Sequence, residues 1–391
     1  MYRYVFSALI YISEQGVIVN ISLSLLTMTD SNYTPISTAS SLDGHDNVTV
    51  EIQRLEQLLH SSDIPHELWD KANVQMQRIN LALRYGGNVN QLDMISKYVE
   101  WITSLPWTKA SPDNLQIENA KNIMDANHFG LDDIKKRILE YVSVLILQKK
   151  NATADTHFHA PVLLFVGLAG TGKTTFAQSI ADVFGRQFVR IPFGGLSSAL
   201  DLRGVSKVQP EAEPGYIIRA LRRVGTRNPV ILLDELDRVV DSSRGAIMGV
   251  LLELLDPKQN SSFVDHYIDF PFDLSDALFI ATANNTQDIS TAVMDRMEVI
   301  QMPSYTDDQK IAIGRDYILP RLIKESGIPE GSITVDDEVW KALARAAGYD
   351  PGIRSVERKV ESIVRAAALK MVSSTETTFV VNAQNMNQYI D

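Results

Sequence analysis

The chain of 391 residues contains no cysteine. Disulfide staples, thiolate metal sites and a cysteine nucleophile are therefore excluded. Positive charge is in deficit, with 37 Lys and Arg against 48 Asp and Glu, a net charge of −11. A protein built around nucleic acid presents a basic face, and no dense Lys/Arg run is visible, so nucleic acid is not an expected partner. Metal-ligand spacing is also missing. The seven histidines are scattered, and His157 and His159 bracket Phe158 in a polar stretch that reads as loop. Long uninterrupted apolar runs are lacking too. Residues 2–27 are apolar-rich, but Glu14, Gln15, Gly16 and Asn20 break them. A spanning helix needs about 20 continuous apolar residues, so no stable membrane insertion is expected. A signal peptide or membrane anchor is one alternative, because Arg3 precedes the run, yet no tidy small-residue cleavage site follows; an ordinary apolar extension is another. The blandest reading starts the protein at Met28, which leaves open whether residues 1–27 belong to the mature form.

What is present is apolar content of 45%, enough for one large core and a smaller one. Residues 29–47 are rich in Ser, Thr, Asn and Asp and read as disordered. Helical periodicity then runs over 48–83, with Ile52, Leu55, Leu58 and Leu59 in one pattern. Leu68, Val74, Met76 and Ile79 continue it beyond Pro65. Gly86-Gly87 interrupt, and 93–105 is a further helix ending before Pro106. An amphipathic helix over 131–148 opens with Asp132-Asp133, which suits a helix N-terminus. After a polar linker at 149–160, continuous apolar runs fall at 162–166, 188–191, 230–233, 278–283 and 299–302, with helical segments between them. That alternation predicts an α/β fold, a mostly parallel sheet covered on both faces. Residues 307–372 read as helical again, and 378–381 as a short strand.

The chemistry sits at Gly167-Leu168-Ala169-Gly170-Thr171-Gly172-Lys173-Thr174, which fits G-x4-G-K-[ST] between a strand and a helix. The glycines let backbone N–H groups turn inward around phosphate. Lys173 is expected on the β- and γ-phosphates of ATP and Thr174 on Mg²⁺, with Thr175 beginning the helix beside them. The strand ending in Asp234-Glu235 brings two carboxylates to the same sheet edge. Asp234 is expected to hold the magnesium shell and Glu235 to polarise the attacking water. Asn284 ends a third strand and is a candidate for positioning that water or the γ-phosphate. Alone, an Asn at a strand end is more often a turn residue.

These residues resemble the ATPase module of the Lon proteases, within the AAA+ class. The resemblance runs from about residue 50 to the end. Its blocks include Tyr98-Val99-Glu100-Trp101, Leu105-Pro106-Trp107, Leu254-Leu255-Asp256-Pro257-Lys258-Gln259-Asn260, Pro271-Phe272-Asp273-Leu274-Ser275 and Asp295-Arg296-Met297-Glu298. It implies an AAA+ P-loop sheet over 128–303, preceded by the helical arm (48–127); the apolar and disordered segment read from composition takes up 1–47. A helical lid would follow over 304–391. It also implies roles: Arg296 as an arginine finger reaching a neighbouring subunit's nucleotide, and Arg354 as the second sensor on the lid. His128, Phe129, Gly130 and Leu131 would form part of the adenine pocket. From the residues alone, Arg296 reads as a surface partner of Asp295 or Glu298, Arg354 as a solvated helix-start arginine, and 128–131 as a capping turn. A hexameric ring of identical subunits is implied, because a finger supplied in trans requires a neighbour. So are unfolded or misfolded protein substrates and a location in the cytoplasm, or in the mitochondrial matrix if the source is eukaryotic.

Two features depart from the family. The serine–lysine peptidase domain of Lon would follow Asp391, and no serine here matches that motif. A separated domain, a split gene and a relative without the protease all remain readings of this. The loop after Arg203-Gly204, where threading relatives carry an aromatic–aliphatic pair, reads Val205-Ser206-Lys207-Val208-Gln209-Pro210-Glu211. Gln-Pro offers little apolar face for gripping a peptide. An ATP-driven remodeller is therefore weighed against a non-threading assembly partner, for instance of a full-length Lon protease.

Overall fold

A computed structural model describes residues 43–85, 90–151, 161–345, 350–373 and 377–390. The apolar segment 2–27, His157, His159 and Gly86-Gly87 lie outside them. Among the described residues five helices come first: α1 (Asp43–Ser61), α2 (His66–Arg84), α3 (Asn90–Ser104), α4 (Ile117–Asn127) and α5 (Asp132–Lys150). Helix α1 begins inside the stretch expected to be disordered. Elongation adds a backbone hydrogen bond for each residue once a turn exists, so apolar periodicity marks the buried turns and not the helix start. On α2 the buried face is Leu68, Ala72, Met76 and Leu83, whereas Val74 is exposed. An alanine at a four-residue spacing therefore carries the contact that Val74 was expected to make.

Strands β1 (Val162–Val166), β2 (Phe188–Pro192) and β3 (Val230–Asp234) follow, separated by α6 (Lys173–Phe184), the single turn α7 (Leu200–Arg203) and α8 (Tyr216–Val224). Next come α9 (Asp241–Leu254), the short hairpin β4 (Phe263–Val264) and β5 (Pro271–Phe272), then β6 (Leu278–Ala283), α10 (Thr291–Met294) and β7 (Met297–Gln301). The main sheet has the order β2-β3-β6-β1-β7 and every pair is parallel. All five residues of β1 and β3 and all six of β6 are buried, as continuous apolar strands covered on both faces require. One face holds Leu163, Phe165, Leu232 and Ile280 against Met124, Ile138, Phe176 and Ile180 of α4, α5 and α6. Strand β7 starts at Met297, two residues before the apolar run. Met297 and Glu298 are recruited by pairing with Val162 and Leu163, a tertiary effect that hydropathy does not register.

The C-terminal part contains α11 (Asp307–Ile313), a π-helical turn at Gly314–Ile318, α12 (Leu319–Glu325), β8 (Ile333–Val335), α13 (Asp337–Arg345), α14 (Arg354–Ser373) and β9 (Phe379–Val381). Strand β8 interrupts the region read as wholly helical, and it pairs in parallel with β9. Three residues are too few for period-two alternation to show in sequence. Trp340, Val360, Ile363 and Val381 centre this second core. Gly314 lets the π turn lie against the indole, since a Cβ there would be 2.7 Å from Trp340 Cζ3.

A buried ion cluster ties the segment before α4 to the sheet. Arg186 donates from Nε to Asp113 Oδ1 at 2.6 Å and from a terminal nitrogen to Oδ2 at 3.0 Å. A third bond reaches the Asp276 carbonyl at 2.8 Å, and Lys149 joins Asp113. Burial lowers the Arg186 guanidinium to about 10 and the Lys149 ammonium to about 8. Replacing one partner leaves the other charge desolvated. Asp113→Ala is therefore expected to lose roughly 3–5 kcal/mol in urea unfolding. A loss below about 1 kcal/mol, the value of a surface pair, would contradict the buried reading.

Candidate functional site

The parallel sheet brings the C-terminal ends of β1, β3 and β6 to one edge, where an α/β sheet binds its ligand. Beyond β1 the chain turns through Gly170 (φ 82°) and Gly172 (φ 93°), and α6 starts at Lys173. Residues with a Cβ rarely adopt such backbone angles. Gly167 is needed for another reason: a Cβ there would meet the Met302 carbonyl at 2.6 Å. The loop is closed by Thr171, whose hydroxyl donates to the Leu168 carbonyl at 2.9 Å, and by Thr175, which donates to Gly172 O at 2.7 Å.

Lys173 Nζ is half-buried over this loop. It donates to the carbonyls of Gly167 (2.5 Å) and Leu168 (2.9 Å) and to Asn284 Oδ1 (3.1 Å). Burial lowers its pKa, with Asp237, Asp234 and Glu235 opposing and Arg354 adding to the shift. So Asn284 does reach the phosphate loop, through the lysine. Asp234 is buried and held on both oxygens: Thr282 donates its hydroxyl to Oδ1, and Arg190 Nε lies 2.5 Å from Oδ2. Glu235 adopts φ 62° and pairs with Arg238 at 3.3 Å. Thr282, Arg190 and Arg238 were not anticipated. The only signal for Thr282 in sequence is a polar residue inside an apolar strand.

A cavity of about 530 Å³ opens beside the loop, within the range of small-molecule sites. Its wall includes Gly170, Gly172, Lys173, Thr174 and Thr175 on one side, His128 and Phe129 on another, and Tyr317, Ile318, Ile353 and Arg354 from the C-terminal part. Gly130 and Leu131 do not line it; both have positive φ and form the turn into α5. The His128 ring stacks on Phe176 with centroids 3.6 Å apart, and its Nε2 lies 2.9 Å from Ser179 Oγ. Phe129 packs edge-on against Tyr317. Arg354 opens α14 and is exposed, and it also lines the cavity. The backbone before it is fused to the phosphate loop: Ile353 N–H donates to Gly170 O at 3.1 Å, and a Cβ on Gly352 would lie 2.4 Å from Ala169 O. Tyr305 closes the contact, donating to Thr171 O at 3.1 Å.

The arrangement can cradle a phosphate chain, with an apolar and aromatic recess beyond for a base. The chain matches the AAA family of ATPases associated with various cellular activities over residues 163–305. It matches the Lon protease AAA+ ATPase lid domain over 324–380. The chain is a Lon-type AAA+ ATPase module. It is 38% identical to Lon protease from Lawsonia intracellularis over 87% of its own length and 40% of that protein. For Lon protease 2 from Thermus thermophilus the identity is 36%, covering 87% and 42%. For Lon protease from Heliobacterium modesticaldum it is 36%, covering 87% and 41%. The module thus spans about 40% of the length of the curated relatives it matches.

Arg296 of the Lon-type module lies outside the cavity wall. It donates to Ala292 O at 2.9 Å and reaches Asp256 at 3.4 Å. Its acidic contact is thus Asp256, 40 positions away, and not the adjacent Asp295 or Glu298. The loop after Gly204 is built on Asp265, which is fully buried and accepts the N–H groups of Gly215, Tyr267 and Ile268. Gly204 approaches the same carboxylate so closely that a Cβ would be 2.8 Å from Oδ1. Lys207 turns back over the Tyr98 ring of α3 at 4.0 Å, whereas Val208 is 77% exposed. Among the described residues, no helix is long and apolar enough to cross a membrane.

Burial also pushes the His128 imidazole down to about 4, so it is neutral in the folded module. The unfolded chain takes up that proton near 6.5. Stability should therefore fall as pH drops from about 6.5 toward 4, with a slope approaching 1.4 kcal/mol per unit from this group. Urea unfolding across that window should be flatter in His128→Asn. An unchanged slope would mean that the ring is accessible.

Proposed function

We propose that the module binds ATP with magnesium, hydrolyses it and uses the cycle to unfold or remodel polypeptide. It would do so as a homo-oligomeric, hexameric ring in the cytoplasm, or in the mitochondrial matrix of a eukaryote. The observation that supports this reading most directly is Lys173, which lines the cavity and bridges the phosphate-loop carbonyls and Asn284. Residues 167–175 would wrap the triphosphate, and Lys173 would exchange its carbonyl acceptors for phosphate oxygens. Residues 128–131 would border the adenine, His128 and Phe129 from the wall and Gly130 and Leu131 through the turn. Arg354 would sense the γ-phosphate from the lid. The donor set suits magnesium, which is commonly held by one or two carboxylates together with phosphate oxygens. Thr174 and Asp234 would hold that ion, which neutralises charge on the phosphates. Glu235 would orient and polarise the water, and Arg296 would act on a neighbour's nucleotide. On this reading residues 48–127 form an arm, 128–303 the nucleotide-binding domain and 304–391 the lid.

Lys173→Ala should weaken ATP affinity by roughly 30-fold or more, because truncating one side of a desolvated charge pair costs about 2–5 kcal/mol. Glu235→Gln should keep binding and slow hydrolysis by about 10²–10⁴, the contribution of a positioned general base. Calorimetry and a phosphate-release assay read the two. A Glu235→Gln protein turning over ATP at the native rate would show that another group is the base.

A second reading, a non-threading assembly partner of a full-length Lon protease, is favoured by the loop at 205–215. Its tip carries Gln209-Pro210, and Glu211 holds a positive φ of 57°. Casein-stimulated ATPase separates the two. Stimulation, together with unfolding of a tagged substrate, supports the remodeller. No response to any unfolded protein supports the partner.

A further inference from the structure

We propose that Thr282 is the positioning residue that sets Asp234 and Glu235 relative to one another through a single hydroxyl. The proposal rests on the ATPase reading above and deepens it by naming a side chain outside both nucleotide motifs.

On the side of β6 the sheet's ladder stops short of the two carboxylates, although Asp234 is still paired with Pro192 of β2. The β3–β6 register runs from Val230 opposite Leu278 to Leu233 opposite Ala281 and ends there. Asp234 and Glu235 therefore lie just beyond the ladder on one strand, and Thr282 lies just beyond it on the other. The Thr282 hydroxyl takes over where backbone pairing ends. It donates to Asp234 Oδ1 and accepts the Glu235 N–H at 2.9 Å. A hydroxyl offers one donor and two acceptor sites, so one oxygen serves two successive residues in complementary senses.

The second bond has a conformational consequence. Glu235 has φ 62°, which a side chain with a Cβ adopts only when its surroundings hold it there. That angle ends the strand and starts the 3₁₀ turn Leu236–Arg238. It also swings the Glu235 carboxylate away from the position that continued strand alternation would give it, toward Gly194 and Arg238. A Cβ on Gly194 would lie 3.0 Å from Glu235 Oε2. Thr282 is itself fully buried in β6, so its hydroxyl cannot exchange these partners for water. An ordinary buried strand threonine bonds a single nearby backbone group. This one joins the carboxylate meant for the metal to the backbone of the residue meant for the water.

The test compares Thr282→Val, which keeps the shape and removes the hydroxyl, with Thr282→Ser, which keeps the hydroxyl. Both are made in the full 391-residue chain. Thr282→Val should lower kcat for ATP by about 10–100-fold and shift the magnesium dependence to higher concentration, as loss of an outer-shell hydrogen bond to a ligand carboxylate does. Its affinity for a fluorescent ADP analogue without magnesium should stay within about twofold of native, because the phosphate loop is untouched. Thr282→Ser should restore the rate to within about threefold of native by keeping both bonds. A Thr282→Val enzyme with native kcat and magnesium dependence would overturn the proposal. So would a Thr282→Ser enzyme as slow as the valine variant, because packing and not the hydroxyl would then matter. If the valine variant fails to fold, Thr282→Ala replaces it, judged by the same outcomes. If the native chain hydrolyses no ATP, the ATPase reading fails by itself. The proposal is then decided by calorimetry: the magnesium-dependent gain in ATP affinity must vanish in Thr282→Val and persist in Thr282→Ser.

Discussion

The site depends on one backbone constraint, the pair of left-handed glycines at Gly170 and Gly172. Their positive φ values let the chain leave β1, reverse over its own carbonyls and enter α6 within a few residues. Everything else is registered against that turn. Lys173 sits over it because it opens α6. The lid backbone at Gly352 and Ile353 lies directly on it, through an N–H to the Gly170 carbonyl and a contact that leaves no room for a Cβ. The helix carrying Arg354 therefore begins in direct backbone contact with the loop.

The second constraint is electrostatic. Lys173, Arg190, Arg238 and Arg354 converge on the edge of the sheet from which Asp234, Glu235 and Asp237 project. In a partly desolvated site each charge needs a partner, and the cost of an uncompensated one is large. The Asp113–Arg186–Lys149 cluster follows the same rule on the opposite side of the chemistry, where it is structural. Strongly perturbed groups are thus found both in and out of the site, so perturbation alone does not mark function.

Much of the fold was legible because the sheet is buried on both faces. Such strands read as unbroken apolar runs, and β1 and β6 occur at the expected bounds. The candidate phosphate loop was legible because its geometry is local: the left-handed glycines and the lysine that opens α6 fall within a few consecutive residues. What failed was boundary and context. Helix α1 starts inside a polar stretch, β8 interrupts a helical region, and β7 gains two residues from its neighbour. In each case pairing or helix propagation supplied hydrogen bonds that composition does not encode.

By itself the sequence determined the parallel α/β class, the position of the phosphate loop and the carboxylate pair at the end of β3, because each follows from residues close together in the chain. Only the tertiary structure decided the rest. It set Thr282 between Asp234 and Glu235, turned Arg296 to Asp256, placed Phe129 but not Gly130 or Leu131 on the cavity wall, and folded Lys207 onto Tyr98. Those partners lie tens to more than a hundred positions apart. Hydropathy and spacing are local quantities, and contacts of that separation exist only once the strands have been ordered in space.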